Sequence, residues 1–158
     1  MRKPKRLLWQ LFPSYLLITL ISLLAVSWYA SGAMRHFFLE QTATDLKTRA
    51  ALLDKQIRML LSPLRGETID AICKEAGRLS ATRITVILSD GTVIGDSRET
   101  PRLMDNHANR PEIATALAGQ TGSSLRFSKT LMQEMLYVAV PIKDRQDIVA
   151  VLRTSLPA

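Results

Sequence analysis

Residues 83–95 read RITVILSDGTVIG, and this stretch decides the fold class. Arg83 to Ser89 alternates and is rich in β-branched residues, and Thr92 to Gly95 returns to the same pattern after Asp90-Gly91. Aspartate followed by glycine between two such runs is a strong signal of a two-residue hairpin turn. We therefore predict two antiparallel strands joined at Asp90-Gly91.

The chain after this hairpin reads as a short helix and three further strands. Pro111 to Ala118 has proline in its first turn and Gly119 beyond its last, which is the usual asymmetry of helix ends. The predicted strands are Ser123 to Ser128, Met135 to Ile142 and Ile148 to Thr154, with Lys143 to Asp147 as the turn between the last two. These runs predict three antiparallel strands that close the sheet.

The chain before the hairpin is helical and is interrupted once. Ser62-Pro63 ends a long helix, because proline disfavours a helical residue before it and has no amide donor. Glu67 to Leu79 then places its apolar residues on one helix face. The fold class is therefore α+β, with a five-stranded antiparallel sheet and helices that we place on a single face of it, a PAS-like arrangement.

A long uncharged segment lies near the N-terminus. The 24 residues from Leu7 to Ala30 contain no Asp, Glu, Lys or Arg, and about 20 apolar residues suffice to cross a bilayer. The basic cluster from Arg2 to Arg6 favours a cytoplasmic N-terminus. We assign residues 1–6 to a cytoplasmic tail, 7–31 to a transmembrane helix and 32–156 to an extracytoplasmic sensor domain.

A cleaved signal peptide is the alternative interpretation of this segment. Ser31-Gly32-Ala33 offers the small residues that signal peptidase prefers, but a signal peptide has an apolar core of only about 7 to 15 residues. We favour an uncleaved anchor in a bacterial inner membrane, with membrane lipid as its partner. N-terminal sequencing of the membrane fraction decides, since a mature chain that begins at Met34 would contradict the anchor.

An apolar seam follows the membrane segment, with apolar residues at alternating spacings of four and three. The seam comprises Leu39, Ala43, Leu46, Ala50, Leu53, Ile57 and Leu60 and extends to Leu64. Such a seam packs either on the same helix of a second subunit or on the sheet of its own domain, and both interpretations stay open. Phe38, Ala51 and Leu52 lie off the seam and could pack elsewhere.

Charge and cysteine content restrict the classes of function. The chain has 158 residues, 47% of them hydrophobic, and a formal net charge of +7, of which Arg2, Lys3, Lys5 and Arg6 supply four. The domain itself is only mildly basic and poor in aromatic residues, so we exclude nucleic acid as a partner. The one cysteine, Cys73, cannot form an intrachain disulfide, and we interpret it as a small buried core residue.

Several short elements in this order resemble a known family. The elements are DGTVIGDS at 90–97, MDNH at 104–107, RPEI at 110–113, ALAG at 116–119, RFS at 126–128 and MLYVAVP at 135–141. Together they resemble the extracytoplasmic region of phosphate-regulon (PhoR-like) sensor histidine kinases, over about Leu7 to Ser155. The resemblance implies a single Cache (PDC-type, PAS-like) domain between two membrane helices, with residues 157–158 at the start of the second.

The same resemblance implies that kinase activity resides outside these residues. A cytoplasmic linker, a dimerisation domain with a phosphoacceptor histidine, and an ATP-binding domain would follow. The response regulator would be reached only through those domains, and the receptor would be a homodimer. This part of the chain contains no phosphoacceptor histidine box and no glycine-rich ATP lid.

The most polar stretch of the domain, Asp105 to Glu112, is the candidate binding site. His107 and Arg110 there, with Arg126 and Tyr137 on later strands, could hold an anion beside a helix N-terminus. The alternative, which we favour from sequence, is a structural loop in which Asn109 and Glu112 form a capping box and Arg110 pairs with Asp96 or Asp105. We expect no metal site, no cofactor and no catalytic residue.

Two hypotheses of function follow from these patterns. The first is the signal-input portion of a membrane two-component sensor histidine kinase, which detects an extracytoplasmic small molecule or protein and transmits the signal by changing helix packing. The second is a structural module for anchoring and dimerisation that has no ligand of its own. Neither hypothesis identifies the ligand.

Overall fold

The computed structural model describes residues 7–128 and 132–158, with side chains from residue 11 onward. The basic cluster and the cytoplasmic tail assigned to residues 1–6 lie outside the described residues. The chain divides into two compact units, one that ends at Glu40 and one that spans Gln41–Ala158. The second unit thus begins later than residue 32, where sequence placed the sensor domain.

The elements follow the predicted order. Helix α1 spans Leu7–Met59, α2 Gly66–Ser80 and α3 Pro111–Leu117, and the strands are β1 Arg83–Leu88, β2 Val93–Asp96, β3 Gly122–Ser128, β4 Gln133–Asp144 and β5 Asp147–Pro157. A 3-10 turn spans Pro101–Leu103. The predicted helices and strands are all present, with small shifts at their ends.

The first unit consists of an apolar helical segment with an exposed surface. Within the described residues, α1 is the one helix that is long and apolar enough to cross a membrane by length and composition. No part of its most apolar 18-residue window is buried. Large side chains such as Leu17, Leu24 and Trp28 are more than half exposed, as a surface that faces lipid would be.

The five strands form one antiparallel sheet in the order β2-β1-β5-β4-β3. The last strand of the chain, β5, therefore lies at the centre of the sheet, between β1 and β4. Its end differs from the sequence assignment: Pro157 pairs with Met135, and the amide of Ala158 donates to the carbonyl of Glu134 at 3.1 Å. Pro157 is thus the last residue of β5, and a second membrane helix that starts at residues 157–158 stays a prediction.

The first hairpin forms where predicted but has a longer turn. β1 ends at Leu88 and β2 begins at Val93, and the register shifts between Val86 and Ile87. Gly91 has φ +87, and a Cβ there would collide with Asn106 and Ala108. The prediction of a two-residue turn is therefore wrong. The turn is longer, and the loop that contains Asn106 and Ala108 packs against it.

One face of the sheet packs on α1 and α2. Ala50 and Ile57 of α1 join Ile69 and Cys73 of α2 and strand residues such as Leu152 in one apolar core. Leu46 is fully buried and Leu53 and Leu60 are partly buried. From Leu46 onward the apolar seam thus packs on the chain's own domain, and its pairing with a second subunit stays a prediction.

The opposite face of the sheet packs on α3. Ile113 and Ala116 of α3 form a second core with strand residues that include Ala139 and Val151. The prediction that all helices lie on a single face is therefore wrong. Successive side chains of a strand point to opposite faces, so the central strand β5 needs cover on both.

Cys73 lies in the first core and is fully buried. Burial raises the pKa of its thiol to about 12, and the nearby Asp96 and Asp70 act in the same direction. A thiol that stays protonated is unreactive. The interpretation of Cys73 as a buried core residue is confirmed.

Candidate functional site

A cavity of about 510 Å³ opens on the α3 face of the sheet. Its lining comprises Arg83, Glu99, Leu103, Met104, Asp105, His107, Arg110, Arg126, Phe127, Ser128, Tyr137 and Arg153. The volume is in the range of small-molecule sites in proteins. Four arginines line this one cavity, which makes it a candidate site for an anion.

The sheet register places the deepest of these side chains. Arg153 of β5 lies opposite Thr85 of β1 and Ala139 of β4, and Tyr137 lies two residues before Ala139. All four therefore share the α3 face. The small side chain of Ala139 beside Arg153 leaves space for a guanidinium to lie along the sheet.

The structure brings all four sequence-predicted site residues together. His107, Arg110, Arg126 and Tyr137 line the cavity, although they come from a loop, the start of α3 and two strands. His107 and Tyr137 are buried, and Arg110 and Arg126 are half-buried. Long-range folding thus collects residues that are far apart in sequence.

Glu112, in the first turn of α3, is a buried hub for the arginines. Its side chain is fully buried and accepts hydrogen bonds from Ser124 at 2.6 Å and from Arg126 at 3.2 Å. Arg153 forms an ion pair with it at 3.5 Å. Burial alone would raise the pKa of Glu112, but the Ser124 hydrogen bond and the two arginines outweigh burial and lower it, so this carboxylate is ionised at neutral pH.

The predicted capping box of Asn109 and Glu112 is therefore wrong. The N-cap of α3 is Arg110, which makes no side-chain cap hydrogen bond, and Pro111 occupies the first turn. Glu112 turns into the protein because β3 passes close to α3 at Gly122, where a Cβ would overlap the backbone of Glu112. The local sequence pattern contains no information about this approach.

Asp96 is the second buried carboxylate on this face. It accepts hydrogen bonds from Arg83 at 3.2 Å and Thr85 at 2.7 Å, and Arg153 donates to the same Thr85 at 3.1 Å. Burial would raise the pKa of Asp96, but the charge of Arg83 and these hydrogen bonds outweigh burial and lower it. The predicted pair between Arg110 and Asp96 is not formed, since Arg83 occupies the carboxylate.

Tyr137 lies between two of the arginines. The guanidinium carbon of Arg126 is 4.1 Å from the ring centroid and that of Arg153 is 5.2 Å from it. Arginine over an aromatic ring is attractive and holds the guanidinium plane in place. Tyr137 thus orients both cations within the cavity.

His107 closes the cavity from the loop before α3. Its amide donates to the carbonyl of Gly91 at 2.9 Å, and the side chain of Asn106 donates to the carbonyl of Asp90 at 2.8 Å. Burial, with the charges of Arg153 and Arg110, lowers the pKa of His107 to about 4. A neutral imidazole therefore faces the site at physiological pH.

Several polar atoms on this face have no hydrogen-bond partner among the described residues. They are Nδ1 of His107, Nε of Arg126, Nε of Arg153 and Oγ of Ser155. Buried polar groups are normally paired, because an unpaired one costs about 1 to 3 kcal/mol. Three of the four atoms belong to residues that line the cavity, although the atoms themselves are buried beneath its surface.

Sequence reasoning missed Arg83, Arg153 and the role of Glu112. A signal for Arg153 exists, since it is the one charge between Ile148 and Ser155 in an otherwise apolar and β-branched run. A lone charge in a buried strand calls for a partner. Its partners, Glu112 and Thr85, come from other parts of the chain and are visible only in the fold.

Solved structures of sensor domains resemble this chain. The sensor domain of Escherichia coli DcuS matches with a TM-score of 0.63 at 18% identity, over 75% of this chain and 90% of that one. The sensor domain of the Vibrio cholerae histidine kinase DctB matches with 0.57 at 18%, over 82% and 57%. The ligand-binding domain of the Pseudomonas aeruginosa amino acid chemoreceptor PctC, in complex with GABA, matches with 0.59 at 12%, over 75% and 58%.

These likenesses identify the fold. The chain has the α+β sensor fold that sequence predicted, and it spans nearly all of the DcuS domain but little more than half of the other two. No protein-family profile and no curated protein sequence matches the chain. The three structures are sensor domains of other receptors, so the resemblance to phosphate-regulon kinases in particular gains no support from them.

Proposed function

We propose that this chain is the signal-input portion of a membrane receptor that detects a small anion. The observation that carries the proposal is the cavity, where four arginines converge. Arginine side chains there could form charge-assisted hydrogen bonds to a carboxylate or phosphate. The proposed ligand-binding residues are therefore His107, Arg110, Arg126 and Tyr137, together with Arg153, which lines the same cavity.

The proposed route for the signal runs through the central strand. Arg153 lies in the cavity, and the next residue, Thr154, points to the opposite face and donates to the carbonyl of Leu46 on α1 at 3.0 Å. An anion that repositions Arg153 would change the strain on this bond. A ligand shifts such an equilibrium only if it binds the two states with different affinity.

The proposed setting is the bacterial inner membrane with the sensor domain outside the cytoplasm. The apolar part of α1 serves as the anchor, and the basic cluster from Arg2 to Arg6 favours a cytoplasmic N-terminus. We propose a histidine kinase as the full receptor on the sequence resemblance, supported by the shared fold with the sensor domain of the kinase DctB. The response regulator would contact only the cytoplasmic domains of that receptor.

Arg110 offers the sharpest test of the anion site. It lines the cavity and lies outside the two buried ion-pair hubs, so Arg110→Gln should weaken binding without unfolding the domain. In a thermal-shift screen of the full chain in detergent against phosphate, sulfate, butyrate and succinate, we expect at least one anion to raise the Tm. The same anion should bind at least tenfold more weakly to Arg110→Gln.

The matched control is Arg78→Gln, which removes an exposed arginine of α2 that pairs with Glu75. Its affinity for the anion should equal that of the parent. If no anion raises the Tm, or if both variants bind as the parent does, the anion site is wrong.

A second candidate function, anchoring and dimerisation without a ligand, is favoured by an exposed apolar strip on α1. Leu52 and Met59, seven residues apart, are 77% and 64% exposed, so they lie on one side of the helix away from its buried seam. A second copy of α1 could cover them. Homodimerisation is compatible with both candidate functions.

Disulfide crosslinking in membranes tests the dimer. Cysteine at Leu52 or Met59 should crosslink in the full receptor, whereas cysteine at the buried Ala50 should not. If signalling also persists unchanged in Arg110→Gln, the domain acts as an anchor and dimerisation module alone. If the crosslinking pattern changes with the anion, the sensor function is supported.

A further inference from the structure

The charges beneath the cavity form an unbalanced set. Arg83, Arg126 and Arg153 face two carboxylates, Asp96 and Glu112. The two carboxylates and Arg153 have at most 3% of their surface exposed. Both carboxyl groups have a lowered pKa and stay ionised at neutral pH, so three positive charges meet two negative ones.

His107 does not change this balance. Its pKa of about 4 leaves it neutral at pH 7. The buried charges are thus balanced, and the half-buried Arg126 gives the ion-paired set one positive charge in excess. One negative charge from a ligand would neutralise this excess.

At the mouth of the cavity, negatively charged side chains outnumber positively charged ones. Arg110 is half-buried there, while Glu99 and Asp105 are exposed and also line the cavity. A second carboxylate of a ligand would meet these two acids and the apolar Leu103 and Met104. Two acids thus outnumber the single cation Arg110 at the mouth, so a second carboxylate would meet net repulsion there.

We infer that Glu112 is a built-in counter-ion that sets the charge of the ligand: the cavity binds an organic acid through one carboxylate and disfavours a dicarboxylate of the same length. The inference rests on the proposed anion site and specifies the class of its ligand. Glu112 already supplies an acceptor between Arg126 and Arg153, at 3.2 Å and 3.5 Å. It therefore occupies the place that a second carboxylate would need.

Three four-carbon ligands test the parent chain: butyrate, succinate and 4-aminobutyrate. All three have a four-carbon chain with a carboxylate at one end. The other end is a methyl group in butyrate, a second carboxylate in succinate and an ammonium group in 4-aminobutyrate. By calorimetry with the full chain in detergent at pH 7, we expect butyrate to bind at least tenfold more tightly than succinate. Neutral butyramide should not bind, because it lacks the negative charge.

Charge variants then test the role of Glu112 itself. Glu112→Gln raises the excess to two positive charges, so the ratio of succinate to butyrate affinity should rise at least tenfold. Arg126→Gln removes the excess and should weaken both ligands at least tenfold. The double variant has one excess charge again and should recover the parent's preference for butyrate.

The outcomes separate this inference from the proposed function. If succinate binds the parent more tightly than butyrate, the single-carboxylate inference is wrong while the anion site stands; tighter binding of 4-aminobutyrate would support it, because its ammonium group would meet Glu99 and Asp105. If none of these ligands, phosphate or sulfate binds, both fail. If Glu112→Gln does not fold, two measurements still test the inference. The first is the ratio of butyrate to succinate affinity in the parent. The second compares Arg126→Gln with the double variant, because the inference requires the double variant to prefer butyrate as the parent does.

Discussion

The two faces of the sheet are built from alternate residues of the same strands, yet they are stabilised by different interactions. Leu152 points into the apolar core with α1 and α2, and its neighbour Arg153 points into the charged cavity. The apolar face gains stability from buried area, which depends little on direction. The charged face depends on pairing, because each buried ion needs a partner in the right place.

This difference separates stability from recognition within one sheet. The α1 and α2 face can tolerate apolar substitutions of similar volume. The α3 face cannot lose either buried carboxylate without leaving an arginine unpaired. The same sensitivity makes the α3 face responsive to an added anion.

The largest effect on stability is expected from Asp96→Asn. This change leaves Arg83 without its ionised partner, and it weakens the acceptor for Thr85 and for the amides of Arg98 and Glu99. Breaking a buried pair costs about 3 to 5 kcal/mol, so the free energy of unfolding in urea should fall by about that amount. Glu75→Gln, at an exposed pair, is the control and should leave the free energy of unfolding almost unchanged. A loss below about 1 kcal/mol for Asp96→Asn would mean that the charged face contributes little to folding.

Leu152→Ala tests the apolar face and should come next. The side chain is 1% exposed in the core with α1 and α2, and such truncations cost about 2 to 5 kcal/mol. Anion affinity should stay unchanged, because the side chain points away from the cavity. Leu79→Ala, at a side chain that is 71% exposed, should cost less than about 0.5 kcal/mol. A changed anion affinity in Leu152→Ala would show that the two faces are not independent.

The sequence could predict the elements because their signals are local. Alternation, the Asp90-Gly91 turn and the Ser62-Pro63 break depend only on neighbouring residues. The order of strands is not local, so the central place of β5 and the need for helices on both faces were not predictable in this way. The residues of the site divide in the same way, into those that a local pattern identifies and those that only the fold brings together.

Individual residues of the site illustrate where local patterns fail. His107 and Arg110 stand out in a polar loop. Glu112 fits a capping box in sequence, but Gly122 of a distant strand turns it into an ion-pair hub. Arg153 was detectable as a charge in an apolar run, whereas its partners were not.

Thr154→Val tests the hydrogen bond that joins the central strand β5 to α1. The hydroxyl of Thr154 donates to the carbonyl of Leu46 at 3.0 Å and is fully buried. Its loss leaves a buried carbonyl without this donor, so the free energy of unfolding should fall by about 1 kcal/mol. Thr48→Val, which removes an exposed hydroxyl of α1, is the control.

The same variant tests the route of the signal. Thr154→Val should bind the anion like the parent, since the residue faces away from the cavity. In the full receptor its response to the anion should be weaker. An unchanged response would exclude this hydrogen bond from the route.

The smallest expected effect is on the acid sensitivity that His107 contributes. The pKa of this imidazole is about 4 in the folded chain and about 6.5 in an unfolded one. Between these values the unfolded chain binds a proton that the folded chain does not, so stability falls as the pH falls from about 6.5 to about 4. Arg110 and Arg153 cause part of this shift by disfavouring a second cation between them.

His107→Gln should therefore reduce the slope of the unfolding free energy against pH within that window. The reduction is at most the slope that the uptake of one proton on unfolding produces. Below pH 4 the variant should still lose stability, because Asp96 and Glu112 have lowered pKa values and are protonated there at the expense of their ion pairs. Urea unfolding at half-unit pH steps measures the slope. If His107→Gln keeps the parent's slope between pH 6.5 and 4, the cavity does not hold the imidazole neutral. The net charge of the α3 face would then have to include a contribution from His107.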